Sequence, residues 1–205
     1  MKKNNTLYLI CKRVFDMIFS FLLLVVLFLP FVFIGIMIKL TSKGPILYSW
    51  KVVGKDGDYF NSFKFRTMVI NADKMKEQLK DKNEMSGPFF KIEDDPRVTR
   101  VGKFLRKYSI DELPQFISVF LGSMSIVGPR PPLQTEYVNF TDFQKQKLSV
   151  KPGITCLWQV QGRNNINDAN EWIKKDLEYI SKRSFIFDIK IIVKTIFAVF
   201  RGTGK

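Results

Sequence analysis

Residues 17–38 are apolar except for Ser20, Pro30 and Gly35. A run of that length is able to cross a bilayer as one helix. Two features favour a different path. Pro30 lies just past the middle, and a proline inside a helix removes an N–H and collides with the preceding turn, so a kink is predicted there. Both flanks are basic, with Lys2, Lys3, Lys12 and Arg13 before and Lys39, Lys43, Lys51 and Lys55 after. Basic flanks stay on the cytoplasmic side, and a re-entrant helix that bends at Pro30 and returns satisfies both features. A single crossing is the alternative. The run is too long for the core of a secretory signal, and no small-residue cleavage site follows it. Asp16, near its start, is expected to pair with Lys12 or Arg13, because a lone charge at that depth is costly.

Beyond residue 40 the pattern breaks into short elements. Stretch 46–53 reads as a strand, 54–57 as a Gly-bounded turn and 59–68 as a second strand, together a hairpin. Alternation within 63–68 puts Lys64 and Arg66 on one face, turned to an anion or simply solvated. Residues 71–82 read as an amphipathic helix with Ala72, Met75 and Leu79 inward, and 81–88 as a loop. A charged stretch, 94–103, precedes a helix expected over 113–121 with Gly122 as its stop. Stretch 124–132 ends in a turn in which three prolines flank Arg130, and one of its X-Pro bonds is a candidate for cis. Residues 135–149 read as polar helix, and 151–163 as a turn, a strand and a second turn ending at Arg163. Asp168 is placed to cap a helix carrying Trp172, Ile173, Leu177 and Ile180 on one side. Stretch 185–200 is apolar with Asp188, Lys190, Lys194 and Thr195 as interruptions, which suits a helix in the membrane interface or one packed on the core. The fold class expected is α+β in three parts. These are a basic N-terminus with the membrane helix (1–40), a compact body with a small hairpin (41–183), and an amphipathic interfacial helix (184–205).

Charge narrows the chemistry. The 205 residues hold 33 Lys and Arg against 19 Asp and Glu, a net charge of +14, and no histidine. Imidazole proton transfer, Ser-His-Asp catalysis and histidine metal sites are excluded. Cys11 and Cys156 form neither a metal cluster nor a disulfide framework. The positive excess calls for an anionic partner: nucleic acid, phospholipid or a phosphorylated substrate. Aromatic residues sit mainly in apolar runs and not through a polar basic face, which argues against nucleic acid.

Against this background the adjacent carboxylates Asp111 and Glu112 stand out. Ser109 and Glu112 have capping-box spacing, while Pro114 fits only a first turn and moves the expected N-cap toward Asp111. A carboxylate at a helix start is kept ionised by the free amides there. Such a group is a cap, a nucleophile or a metal ligand. The rigid turn around Arg130 suits bidentate phosphate or uracil contact, or a purely structural bend.

The marks along residues 12–200 resemble those of the small monotopic phosphoglycosyl transferases, bacterial enzymes that start glycan assembly on a polyprenyl phosphate carrier. They are Lys12-Arg13 with Asp16, the proline-broken apolar segment, Lys64-Phe-Arg-Thr-Met68, Asp95-Pro-Arg97 with Thr99 and Gly102, Leu105-Arg106, Ser109 with Asp111-Glu-Leu-Pro-Gln115, Gly128-Pro-Arg-Pro131, and Lys151-Pro-Gly-Ile-Thr155 with Gly162-Arg163-Asn164. Each is weak alone, and their order and spacing are specific. Leu29, Lys51 and Cys156 depart from the common pattern and leave the carboxylates untouched.

The resemblance implies a re-entrant helix and a catalytic body on the cytoplasmic face of the bacterial inner membrane. It implies that Asp111 attacks the β-phosphate of a UDP-sugar, expels UMP and carries the phosphosugar to polyprenyl (undecaprenyl) phosphate. Glu112 would help hold Mg²⁺. Lys64, Arg66, Arg97, Arg106, Arg130, Pro131 and Arg163 become the expected substrate contacts, in a route to capsule, exopolysaccharide, O-antigen or glycoprotein glycan. Membrane lipids are the expected surroundings, and a homodimer fits a membrane-surface enzyme. A membrane-tethered polyanion-binding protein and a lipid-phosphate hydrolase are the competing functions. No residue names the sugar.

Overall fold

The computed structural model describes residues 6–84, 90, 92, 94–162 and 168–202. The apolar run forms two helices, α1 (Thr6–Val26) and α2 (Phe28–Thr41), bent by 59° at Leu27. The expected kink is therefore present but lies upstream of Pro30. The reason is local: the proline ring excludes the carbonyl four residues back, and that residue, Val26, ends α1. Pro30 itself occupies the first turn of α2, where its missing N–H costs nothing. Neither helix alone is long and apolar enough to cross a membrane; the bent pair together passes that test.

The body that follows mixes short helices with two small sheets. Strands β1 (Leu47–Val53) and β2 (Tyr59–Phe65) pair antiparallel in the expected hairpin, with Leu47 opposite Phe65 and Val53 opposite Tyr59. The second strand ends earlier than expected, and Met68 makes only an isolated bridge to Val98. The amphipathic helix expected over 71–82 is a single turn, α3 (Ala72–Met75), followed by a 3-10 segment, Glu77–Lys82. Helix α4 (Arg100–Lys107) starts at Thr99, whose hydroxyl accepts from the Gly102 amide at 2.9 Å. A 3-10 turn, Ile110–Gln115, then leads into α5 (Phe116–Leu121), which Gly122 closes with φ 93°. The Gly122 stop is as expected.

Strand β3 (Ser125–Val127) pairs in parallel with β4 (Gly153–Thr155). Gly128 and Gly153 make that pairing possible, since a Cβ on Gly153 would lie 2.0 Å from the Gly128 amide nitrogen. No peptide bond among the described residues is cis, so the turn around Arg130 is rigid without one. The polar stretch expected to be one helix is broken into α6 (Gln134–Tyr137), α7 (Asp142–Lys145) and a 3-10 turn, Gln146–Ser149. Thr141 starts α7 by accepting from the Gln144 amide, which interrupts any continuous helix. After β4 the chain forms a helix, α8 (Leu157–Gly162), and not the expected turn. Helix α9 (Ala169–Lys182) is capped by Asp168, and α10 (Phe185–Phe200) by Ser184.

Three apolar cores hold these elements. The largest joins Phe116, Val119, Met124, Ile126, Val127, Leu157, Tyr179 and Ile191, with Phe15, Phe19 and Leu23 of α1 packed on it. Helices α1 and α10 thus share one core with the body. A second core stacks Trp158 on Trp172 with ring centroids 4.3 Å apart. The third joins Ile38 of α2, Phe65 of β2 and Leu105 of α4. Each such side chain contributes about 1.5–3 kcal/mol when fully buried.

Buried polar groups fix the register between helices. Asp16 does not pair with Lys12 or Arg13. It accepts from Ser125 Oγ at 2.7 Å and from the Ile126 amide at 3.2 Å, tying α1 to β3. Lys12 donates to Asp188 of α10 at 2.8 Å, and Arg13 donates to the carbonyls of Val119 and Phe120 at the end of α5. These carbonyls lie in the last turn of α5, where a cation complements the helix dipole; the Val119 carbonyl also accepts from the Gly122 amide at 3.0 Å.

Candidate active site

Asp111 and Glu112 lie on the 3-10 turn between α4 and α5. The helix expected to begin near Asp111 begins at Phe116 instead, and Ser109 takes the left-handed conformation (φ 53°) with no side-chain cap hydrogen bond. Its amide instead donates to the Arg106 carbonyl at 2.9 Å, and its carbonyl accepts from the Glu112 amide at 3.3 Å. A left-handed serine costs about 1 kcal/mol and reverses the chain sharply, so both carboxylates follow directly on the end of α4. Pro114 inside the turn explains the 3-10 geometry, because it cannot donate to an α-helical ladder. Asp111 is 6 % exposed.

A cavity of about 370 Å³ is bounded by the hairpin, α3, α4 and the Arg130 turn; Asp111 and Glu112 do not line it, but their turn packs on β2 and α4, which do. Lys64, Arg66, Arg97, Arg106 and Arg130 all line it, so five of the expected substrate contacts meet in one place. Their partners differ. Burial pulls the Lys64 ammonium below the ordinary lysine range, Arg106 adds to the effect, and Asp111 and Glu112 oppose it. Burial likewise lowers Arg106, against the pull of Asp111, Asp95 and Glu112. For Arg130 burial acts downward, but Glu136 outweighs it and holds the guanidinium above its usual value. Arg130 donates to Glu136 Oε2 at 3.0 Å, and the same carboxylate oxygen accepts from the Leu133 amide at 2.8 Å. The turn also docks on β1, where the Val53 amide donates to the Pro132 carbonyl at 2.9 Å. Pro131 sits half-buried within it.

Arg66 and Arg97 spend most of their donors on the protein. Arg66 donates to Ser42 O and Oγ at 2.9 and 3.0 Å, and to the Lys43 carbonyl. This clamps the loop after α2. Arg97 forks onto Asp95, with Nη2 to Oδ2 at 2.6 Å, and its Nη1 donates to the Ala72 carbonyl. Arg163 lies outside the described residues. Sequence reasoning missed Glu136 and Thr67, and both act through an arginine: Arg106 Nε donates to Thr67 Oγ1 at 3.0 Å. The spacing of Leu133 and Glu136, three apart after a proline turn, was the available signal for Glu136.

A second cavity, about 360 Å³ and almost wholly apolar, runs between α1 and α10. Phe19, Leu23, Phe116, Ile192, Ile196 and Val199 form its sides, and Glu112 and Ser109 stand in its wall. The carboxylate turn therefore forms part of the wall of a greasy groove, and it packs on β2 and α4, which carry Lys64 and Arg106 into the cationic cavity.

For a metal, the donor set is thin. No three Asp, Glu or Cys residues gather into a cage among the described residues. Two adjacent carboxylates do fit magnesium, which commonly keeps several waters and binds through one or two carboxylates plus substrate phosphates.

A protein-family model described as bacterial sugar transferase matches residues 7–202. The chain belongs to that family. Among its relatives in the bacterial sugar transferase family is the galactosyl transferase CpsE of Streptococcus agalactiae serotype III, 46% identical over 204 residues, which cover 100% of this chain and 45% of CpsE. The exopolysaccharide production protein ExoY of Sinorhizobium fredii is 37% identical, covering 96% of this chain and 88% of ExoY. The undecaprenyl-phosphate galactose phosphotransferase of Salmonella typhimurium is 36% identical over 94% of this chain and 41% of its own length. The chain thus spans under half of two of these sugar transferases and most of the third.

Proposed function

We propose that this bacterial sugar transferase moves a phosphosugar from a UDP-sugar to undecaprenyl phosphate, releasing UMP, as the first membrane step of exopolysaccharide or related glycan synthesis. The observation that carries this reading is that the Asp111–Glu112 turn packs on β2 and α4, which supply Lys64 and Arg106 to the cationic cavity, while Glu112 stands in the wall of the apolar groove. A nucleotide sugar matches the first and a polyprenyl chain matches the second. The names of relatives in the same family support both substrates.

In this reading Lys64, Arg106 and Arg130 hold the diphosphate and offset its charge. An Asp111 carboxylate oxygen attacks the β-phosphorus; the bond from that phosphorus to the bridging oxygen breaks, and the pair of electrons leaves with UMP. The enzyme then carries an aspartyl phosphosugar. A phosphate oxygen of the lipid, presented along the α1–α10 groove, attacks the same phosphorus and releases Asp111. Phosphoryl transfer asks mainly for positioning and charge neutralisation, and splitting it in two lets bulky substrates react in turn. Mg²⁺, held by Glu112 with help from Asp111, would supply further neutralisation of the diphosphate.

The apolar faces of α1 and α2, with Phe21, Leu29, Phe33 and Leu40 each more than half exposed, support a bent pair dipping into a bilayer and returning. Phe197 and Phe200 on the outer side of α10 support an interfacial helix beside it. In this reading the body lies on the cytoplasmic face of the inner membrane, the side that the basic flanks of α1 and α2 favour. The test is UMP release by purified protein over a panel of UDP-sugars with undecaprenyl phosphate. Release by the wild type and its loss in Asp111→Asn support the reading; equal rates for both contradict it.

A further inference from the structure

We infer that Tyr48, Trp50 and Asp73 form the subsite for the sugar ring of the donor, an inference that rests on the transferase reading above. Tyr48 and Trp50 are alternate residues of β1, so their rings share a face of the hairpin. The rings lie 5.8 Å apart at 19°. Lys64, directly opposite Tyr48 in the register, places its ammonium 4.9 Å from the Trp50 ring and 5.6 Å from the Tyr48 ring. All three line the cationic cavity, and none of the three apolar cores includes either ring. Asp73 lines the same wall, where its carboxylate accepts from the Tyr48 hydroxyl at 3.3 Å.

The geometry sorts the two ends of the donor. The sugar is bonded to the phosphate that Asp111 attacks, while the uridine lies one phosphate further away. Strand β2, which carries Lys64, packs directly on the turn that carries Asp111 and Glu112, so the rings against Lys64 meet the group nearest the nucleophile. A hexose offers a C–H face that stacks on an aromatic ring and hydroxyls that donate to a carboxylate. Trp50 supplies the ring and Asp73 the acceptor. Uridine then falls to the Arg130 side of the cavity.

Binding without turnover is read in the Asp111→Asn background by tryptophan fluorescence. Trp158 and Trp172 are buried against each other, which leaves Trp50 as the cavity's own reporter. A UDP-hexose is expected to change the emission saturably, UMP alone is not, and Trp50→Phe removes the change. In the otherwise wild-type enzyme, Trp50→Ala is expected to raise KM for the UDP-hexose about 3- to 10-fold, as loss of one stacked ring predicts. Inhibition by UMP stays within about twofold, the scatter expected when no contact is lost. Asp73→Asn is expected to change the ratio of kcat/KM between UDP-hexoses. A change in emission with UMP alone, equal weakening of UMP by Trp50→Ala, or an unchanged KM overturns the subsite. If wild-type protein releases no UMP from any UDP-sugar, the transferase reading fails instead, and the fluorescence titration still decides what Trp50 binds.

Discussion

Arg106 Nε donates to Thr67 Oγ1 at 3.0 Å across a joint that only glycine permits. A Cβ on Gly102 would lie 2.1 Å from the Thr67 carbonyl oxygen, so α4 and the end of the hairpin touch backbone to backbone. The Thr99 amide also donates to that carbonyl, at 2.9 Å. This contact sets where Arg106 enters the cationic cavity. Thr67→Val is expected to lower kcat/KM about tenfold or more, the worth of one hydrogen bond to a charged group, with Thr67→Ser restoring it. Gly102→Ala is expected to cost about 2 kcal/mol or more, because backbone must move; thermal unfolding in detergent checks it.

Glu136 holds Arg130 and the Leu133 amide together. Glu136→Gln keeps the shape and removes the charge. The expected result is a several-fold rise in KM for the UDP-sugar with little change in kcat, since Arg130 is a binding group here. A matching drop in kcat alone would remove Arg130 from the nucleotide end. Glu136→Ala should also cost about 1–2 kcal/mol in stability, because the Leu133 amide loses its acceptor and the Arg130 ion pair is lost.

Lys64 sets an alkaline limit. Burial lowers its folded pKa below the ordinary 10.5. Its charge is lost as pH rises through that lowered value, and donor binding is lost with it. The sign for stability is opposite: the unfolded chain binds the proton more tightly, so this group's contribution improves as pH rises through the folded value. The expected profile of kcat/KM falls on the alkaline side, and Lys64→Arg moves that limb upward. A limb that stays in place in Lys64→Arg contradicts the assignment.

Asp188 gathers Tyr8 and Lys12 of α1 with Tyr179 of α9. Asp188→Ala removes the shared acceptor, leaves Tyr179 the Val127 carbonyl and takes the ion pair from Lys12, and is expected to cost about 3 kcal/mol. Because α1 and α10 also bound the apolar groove, the same variant should lower the rate with undecaprenyl phosphate more than the rate of UMP release without lipid. Equal losses in the two assays would separate the groove from the acceptor step.

Several parts of this arrangement were legible in the chain. Alternation and the Gly54–Gly57 turn marked the hairpin, Gly122 marked the end of α5, and Asp168 marked the start of α9. The family resemblance also brought Lys64, Arg106, Arg130 and the two carboxylates forward together. What sequence hides is how each charge is used. Arg66 and Arg97 read like Lys64 until the structure shows Ser42, Lys43 and Asp95 occupying their donors. Asp16 seemed bound to a helical neighbour, yet its partners are 109 and 110 residues away. Local patterns cannot report such long-range pairing. The polar stretch after Leu133 misled for a related reason, since Thr141 offers its hydroxyl to a backbone amide and stops the helix.

Magnesium gives a separate check. Among the described residues no third acidic donor joins the two-carboxylate turn, so the ion would depend on substrate phosphates for tight binding. Excess chelator is expected to abolish UMP release, and added Mg²⁺ to restore it. Affinity for Mg²⁺ measured by calorimetry should rise at least several-fold when UDP is present. Full activity in chelator would remove the metal from this site.

The most direct measurement is intact mass of the protein after mixing with UDP-sugar and Mg²⁺ with no lipid present, followed by peptide mapping. The account predicts one added sugar phosphate on the peptide containing Asp111, absent in Asp111→Asn and discharged when undecaprenyl phosphate is supplied. A protein that forms lipid-linked product with lipid present, yet never carries that mass when lipid is withheld, contradicts it.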